Sequence, residues 1–154
     1  MAEASYFTYN TPIGKMTIAT DGQSITQLVA GAVQLDGFCI ATSLSNQAAN
    51  ELQEYLGGDR RYFDVPLSPA GTEFQRRVWA EICDIPYGST RTYAQVAEAI
   101  GSPNAYRAVG MAANRNPLPV FIPCHRVVGK GGRLVGYAFG LEAKRYLLDL
   151  ERQA

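Results

Sequence analysis

Along the first forty residues apolar and polar positions alternate, and turn-forming residues interrupt them at short intervals. Period-two alternation puts successive side chains on opposite faces of a strand. It predicts strands over Ser5–Asn10 and Ile13–Thr20 on either side of a Thr11-Pro12 turn, then Ser24–Ala30 after Asp21-Gly22, with Gly37–Thr42 as a fourth. From Ser43 the period lengthens. Ala48, Leu52 and Leu56 recur at helical spacing, Ser45 is the candidate cap, and Gly57 ends the run. Gly58–Ala70, polar and then broken by Pro66 and Pro69, reads as a linker.

Beyond the linker the pattern is helical. Thr72-Glu73-Phe74-Gln75 has capping-box spacing, and Phe74, Val78 and Ile82 follow every four residues. The helix should end near Ile85-Pro86, because the residue before a proline avoids the helical region. A second box, Thr92 to Gln95, opens a helix with Val96, Ala97 and Ile100 inward and Gly101 closing it. Ser102 is read as the cap of the next helix, with Pro103 at its first position and its end near Ala113. Two helices joined by a Gly-Ser turn are a helix-turn-helix candidate, although helical pairs in ordinary cores share the pattern. The expected fold class is α+β. A small N-terminal α/β domain over residues 1–66, an antiparallel sheet plus a helix, precedes a mostly helical C-terminal domain over residues 70–154 that holds the helix-turn-helix.

The second helix of that pair is thin: Ala105, Ala108, Gly110, Ala112 and Ala113 lie along it. Gly110 costs about 1 kcal/mol against Ala inside a helix, which suggests a close approach there. Thinness suits tight packing against another helix. It also suits entry into a groove roughly 6 Å wide, where a helix of about 10–12 Å with its side chains is otherwise too broad.

Composition changes the picture little at first. The 154 residues carry 14 basic and 14 acidic side chains, and 47% are apolar, enough for a folded core. The zero net charge conceals an asymmetry, since residues 78–154 hold nine basic and six acidic residues. Between Glu98 and Glu142 no acid occurs, while Arg107, Arg115, Arg126, Lys130 and Arg133 do, and electrostatic footprints are local. The three cysteines, Cys39, Cys83 and Cys124, form no CxxC pair, which argues against a disulfide scaffold or a zinc site. Cys39 and Cys83 sit in apolar patterns and read as core. No signal peptide and no apolar run near ~18 residues is present, so a cytoplasmic protein with no membrane partner is expected.

The densest chemistry is Ile122-Pro123-Cys124-His125-Arg126-Val127-Val128, which contains the chain's one histidine. Two readings stand: a buried cysteine beside a surface histidine, or a reactive thiol. Pro117, Pro119 and Pro123 would stiffen a reactive loop, and the basic surroundings would favour thiolate.

The segment PCHRVV resembles the signature of the O6-alkylguanine-DNA alkyltransferases. TEFQRRVWAEICDIPY (72–87), GSTRTYAQVA (88–97), RAVG (107–110), NRNPLP (114–119) and Gly140–Glu151 fit that family in order, and the early TPIGKMTIAT fits its N-terminal domain, which is ribonuclease-H-like. The resemblance implies an alkyl transfer from O6-alkylguanine in DNA, and from O4-alkylthymine as a further substrate, to Cys124, irreversibly and once per molecule. It implies that His125 polarises Cys124 through a water, the two side chains diverging on an extended segment, and that Glu151 orients His125. Asn116 would tie the recognition helix to the active-site loop, and Tyr93 would crowd the target phosphate and donate to guanine N3. Arg107 would enter the duplex and replace the flipped base, with Ala108 and Arg115 on the DNA. Val127, Pro119, Tyr137, Ala138 and Phe139 would form the base pocket. Phe139 departs from the family, where glycine is frequent, and should narrow the pocket against benzyl-sized groups. No cofactor and no metal are implied. The expected partner is double-stranded DNA gripped by its minor groove, and the expected state is a monomer. Three alternatives remain: the family's non-catalytic branch, which carries Trp in place of the acceptor, a helix-turn-helix regulator with a structural Cys124, and a cysteine hydrolase.

Overall fold

A computed structural model describes residues 3–153. The chain divides between Ala70 and Gly71 into two compact units. In the first, β1 (Ser5–Thr11) and β2 (Gly14–Thr20) form a tight hairpin in register Ser5 to Thr20, and β3 (Ile25–Ala30) continues the antiparallel sheet. Met16 to Thr20 are all buried, as a central strand covered on both faces requires. Helix α1 (Ser43–Leu56) lays Ala48, Ala49, Leu52, Tyr55 and Leu56 on the sheet. On the other face the Thr17 hydroxyl bridges Thr8 Oγ1 at 2.9 Å and the Gly31 carbonyl at 2.7 Å, so a polar ladder replaces a second apolar layer.

Four expectations do not hold in this unit. The fourth strand, β4, is only Phe38–Cys39, and it pairs parallel to β1, so the sheet is mixed rather than wholly antiparallel. Gly37 makes that pairing possible: at φ +98° any Cβ would collide with the Ala4 carbonyl. At the sheet edge Cys39 is exposed, not core. The cap of α1 is Thr42, and Ser45 is its reciprocal partner, receiving Thr42 N–H at 2.9 Å while its own N–H goes to Thr42 Oγ1 at 3.1 Å. Part of the supposed linker belongs to this unit. Ile25 N–H donates to the Pro66 carbonyl and Ser68 N–H to the Ile25 carbonyl, while buried Glu51 accepts from the N–H groups of Asp64 and Val65.

The second unit is helical. Helix α2 (Glu73–Cys83) starts in the Thr72–Gln75 capping box, buries Val78, Trp79 and Ile82, and bonds Trp79 Nε1 to the Ala112 carbonyl at 2.9 Å. Cys83, at its end, is exposed and not core. A two-residue strand, β5 (Arg91–Thr92), leads into α3 (Tyr93–Ala99), again through a capping box. Helix α4 (Tyr106–Asn114) begins three residues later than a cap at Ser102 would place it. Ser102 is already spent: its N–H closes α3 onto the Ala97 carbonyl around Gly101 at φ +79°, and its own carbonyl accepts Ala105 N–H in a turn with Pro103 second. A two-residue strand, β6 (Val127–Val128), pairs parallel to β5, and α5 (Leu141–Arg152) ends the unit. Among the described residues no helix is long and apolar enough to cross a membrane.

Candidate active site

The site is built on the loop that follows α4. Pro117, Pro119 and Pro123 limit its backbone, and buried Val120 is held at φ +75°, a region that a β-branched residue enters only at a cost of about 1–3 kcal/mol. Buried Asn116 holds the loop closed. Its Oδ1 accepts Leu118 N–H at 2.8 Å, and its Nδ2 donates to the Ile122 carbonyl and to Cys124 Sγ, each at 3.0 Å.

Cys124 opens one turn of 3-10 helix, Cys124–Arg126, rather than lying on an extended segment. Its side chain is buried, and burial pushes the thiol up to about 12 against the Asn116 hydrogen bond and the Lys144 charge, which both pull it down. The basic surroundings therefore do not yield a resting thiolate, because desolvation of the charged sulfur outweighs them.

His125 is 0% exposed, so it is no surface histidine. Its Nε2 lies 2.8 Å from Glu151 Oε2. Burial lowers its pKa below the usual imidazole value, although Glu151 pulls the other way. Glu151 is shared. Arg126 grips both oxygens from Nε and Nη2 at 2.8 Å each, and Gly88 N–H adds a longer bond of 3.3 Å. Arg126 also donates to the Ile85 carbonyl at 2.7 Å and stacks its guanidinium 5.5 Å from the Tyr87 ring centre. A buried carboxylate is thus matched by one buried guanidinium, and the imidazole beside them stays neutral.

The parallel β5–β6 pair brings the start of α3 to the segment that follows Cys124, with Arg91 opposite Val127. Tyr93, half-buried, has its hydroxyl pKa raised by burial and then by Cys124. Lys144, 0% exposed, donates to the Val127 carbonyl at 2.7 Å and the Gly136 carbonyl at 2.9 Å, with Nζ 5.9 Å from the Tyr93 ring centre. Tyr137 meets His125 edge-on at 6.3 Å between ring centres and Phe139 at 5.8 Å.

Comparison with known proteins follows this geometry. The profile described as "6-O-methylguanine DNA methyltransferase, DNA binding domain" matches residues 73–153, and that of its ribonuclease-like domain matches residues 5–69. The chain belongs to the 6-O-methylguanine DNA methyltransferase family. A methylated-DNA–protein-cysteine methyltransferase of Methanosarcina acetivorans is 43% identical over 95% of this chain and 97% of that one. The constitutive one of Bacillus subtilis is 44% identical over 96% and 94%. The crystal structure of Mycobacterium tuberculosis OGT in complex with DNA superposes with a TM-score of 0.90 at 41% identity, covering 97% of this chain and 93% of that one.

Within this methyltransferase fold the residues expected at the site divide into two groups. Asn116 pairs directly with Cys124 and His125 with Glu151, and Tyr93, Val127, Pro119 and Tyr137 lie nearby. Arg107 and Ala108 are exposed on α4 and Arg115 just beyond its end, with Arg107 5.9 Å from the Tyr106 ring centre. Gly110 faces Tyr93 at 3.7 Å from where a Cβ would stand, an ordinary contact, so close packing does not demand glycine there. Two residues escaped the sequence reading. In the sequence Arg126 stands only as one charge of the basic, acid-free stretch, and nothing local singles out Lys144. For Lys144 the signal lies in the helical face, since Lys144, Leu147, Leu148 and Glu151 share the i, i+3, i+4, i+7 face of α5.

Proposed function

We propose that this chain repairs DNA by moving an alkyl group from guanine O6 to Cys124 Sγ, once per molecule and without a cofactor. The sulfur attacks the alkyl carbon in line as the carbon–O6 bond breaks, and the electron pair leaves with the guanine. The thiol proton passes to His125. With Nε2 held by Glu151, acceptance falls to Nδ1, relayed through a water. Tyr93 donates a hydrogen bond to guanine N3 and stabilises the departing anion, which takes up a proton from solvent. The thioether formed is a poor leaving group, so the protein is consumed.

The observation that carries this reading is the buried run Asn116–Cys124 and His125–Glu151, at 3.0 and 2.8 Å, in a chain of this family. It supplies nucleophile, base and orienter together. The slim, exposed face of α4 supports minor-groove binding by a monomer: Ala108 permits approach, and Arg107 fills the space of the flipped base, whose extrusion costs a few kcal/mol. Pro119, Val127, Tyr137, Ala138 and Phe139 receive that base. A free thiol at Cys124 fits a reducing, cytoplasmic setting.

Incubation with a duplex holding one O6-methylguanine, followed by intact and peptide mass analysis, tests the reading. One methyl on the Cys124 peptide with stoichiometric repair is expected, and an O4-methylthymine duplex run in parallel reads the second substrate. A folded protein that gains no methyl overturns the proposal.

A further inference from the structure

Lys144 is buried, and among the described residues no carboxylate is paired with its charge. It is 0% exposed, and its ammonium donates to two main-chain carbonyls, Val127 on β6 and Gly136 at the foot of the loop carrying Tyr137 and Phe139. Burying an ammonium without a counter-charge is costly, and the fold could have satisfied two carbonyls with a neutral amide. The charge itself therefore calls for a use. The neighbouring groups that titrate are Cys124 and His125 on the 3-10 turn, Tyr93 on α3, and Glu151 two turns along α5. Of these, the one that must become an anion during alkyl transfer is Cys124.

We infer that Lys144 is a positioning residue for the transfer: it fixes the acceptor segment and the pocket loop at one spacing through Val127 and Gly136, and it holds a positive charge at the Val127 carbonyl, three residues along the chain from the Cys124 sulfur that develops a negative one. This rests on the reading of Cys124 as acceptor. Electrostatics agree with the geometry, since burial draws the ammonium down to about 8 while Cys124 acts in the opposite sense, and Lys144 in turn pulls the thiol down. Proton transfer from thiol to a neutral imidazole leaves the rate flat between their two ionisations. Loss of the Lys144 proton above pH about 8 should then appear as a fall.

The experiment is single-turnover methyl transfer from the O6-methylguanine duplex by wild type, Lys144→Met and Lys144→Arg between pH 6.5 and 9.5, with melting temperatures recorded for each. The Met variant should be slower by on the order of tenfold to a hundredfold at pH 7, the scale of losing one preorganised electrostatic group. Its deficit should shrink toward nothing above pH 9, and the Arg variant should recover part of the rate and keep it there. A folded Met variant with the wild-type rate and profile overturns the inference. If neither variant folds, the wild type decides alone: a rate that does not fall between pH 7.5 and 9.5, with the protein still folded, overturns it too. A wild type that places no methyl on Cys124 at any pH sinks the reading beneath it instead.

Discussion

Glu151→Gln isolates the charge at the centre of the site. The side chain is 1% exposed and accepts from Gly88 N–H, from His125 and twice from Arg126. Glutamine keeps the shape but sets an NH2 group against a guanidinium or imidazole N–H, and it strands a buried cation. Breaking a buried ion pair from one side costs about 3–5 kcal/mol. Against a denaturant slope of about 2 kcal/mol per molar, the urea midpoint should drop by roughly 2 M. Methyl transfer should fall by on the order of a hundredfold or more, the usual share of a general base that has lost its orientation. The double variant Glu151→Gln, Arg126→Met separates the two losses. Removing both charges should restore most of the stability, because a buried pair replaced as a unit is nearly neutral, while transfer stays low. A single-variant midpoint within about 0.5 M of wild type would refute the reasoning.

Three further outcomes follow. At pH 7 iodoacetamide should modify the exposed Cys39 well before the buried Cys124, whose pKa of about 12 leaves roughly one thiol in 10⁵ ionised, and mass mapping that finds both labelled at equal rates would contradict that assignment. His125 has a folded pKa below its ordinary 6.5, so the unfolded chain binds its proton first as pH falls; stability should be intact above pH 6.5 and decline below it by up to about 1.4 kcal/mol per pH unit, and a flat urea midpoint between pH 7 and 5 would count against a buried neutral imidazole. Phe139→Gly should react faster than wild type with free O6-benzylguanine while keeping its methyl transfer from DNA, and equal benzyl rates would remove Phe139 as the constriction.

What could be read from the sequence was what is local. The boxes at Thr72–Gln75 and Thr92–Gln95 were legible because each is complete within four residues and carries a side-chain amide at its third helical position. Thr42–Ser45 makes the same box with a hydroxyl there, so by type alone the serine reads as the cap. The start of α4 was missed because Ser102 was judged on its type, while its N–H and carbonyl were committed to the preceding helix end and turn. Partners distant in sequence were beyond reach. Nothing near Phe38 announces that it pairs parallel with β1, and nothing near Arg126 announces a carboxylate 25 residues on. Burial was the other blind spot. Arg107, Arg115, Lys130 and Arg133 are exposed as the acid-free stretch suggested, but Arg126 turns inward and its charge is cancelled by Glu151. For Cys124 the same omission reversed the inferred ionisation, since basic neighbours were visible in the sequence and the loss of solvent was not.

That reversal bears on how a protein used once could survive until it meets its substrate. Holding Cys124 at about 12 places its thiolate about 7 kcal/mol above the thiol at pH 7, which shields it from electrophiles in solution. The same shield opposes the transfer unless the site can offset it when the alkylated base arrives. The charges around the sulfur are arranged for that. Arg126 and Glu151 cancel each other, the neutral His125 can take the thiol proton while its Nε2 stays hydrogen-bonded to Glu151 at 2.8 Å, and Lys144 remains as a positive charge with no carboxylate paired to it among the described residues. At rest the ammonium has no thiolate to face. In the transition state it does, and the interaction grows as negative charge develops on the sulfur, which is the condition for a group to accelerate the step rather than merely bind. The proposed reactivity thus depends less on a thiol made acidic in advance than on a buried cation whose favourable interaction becomes available during the reaction.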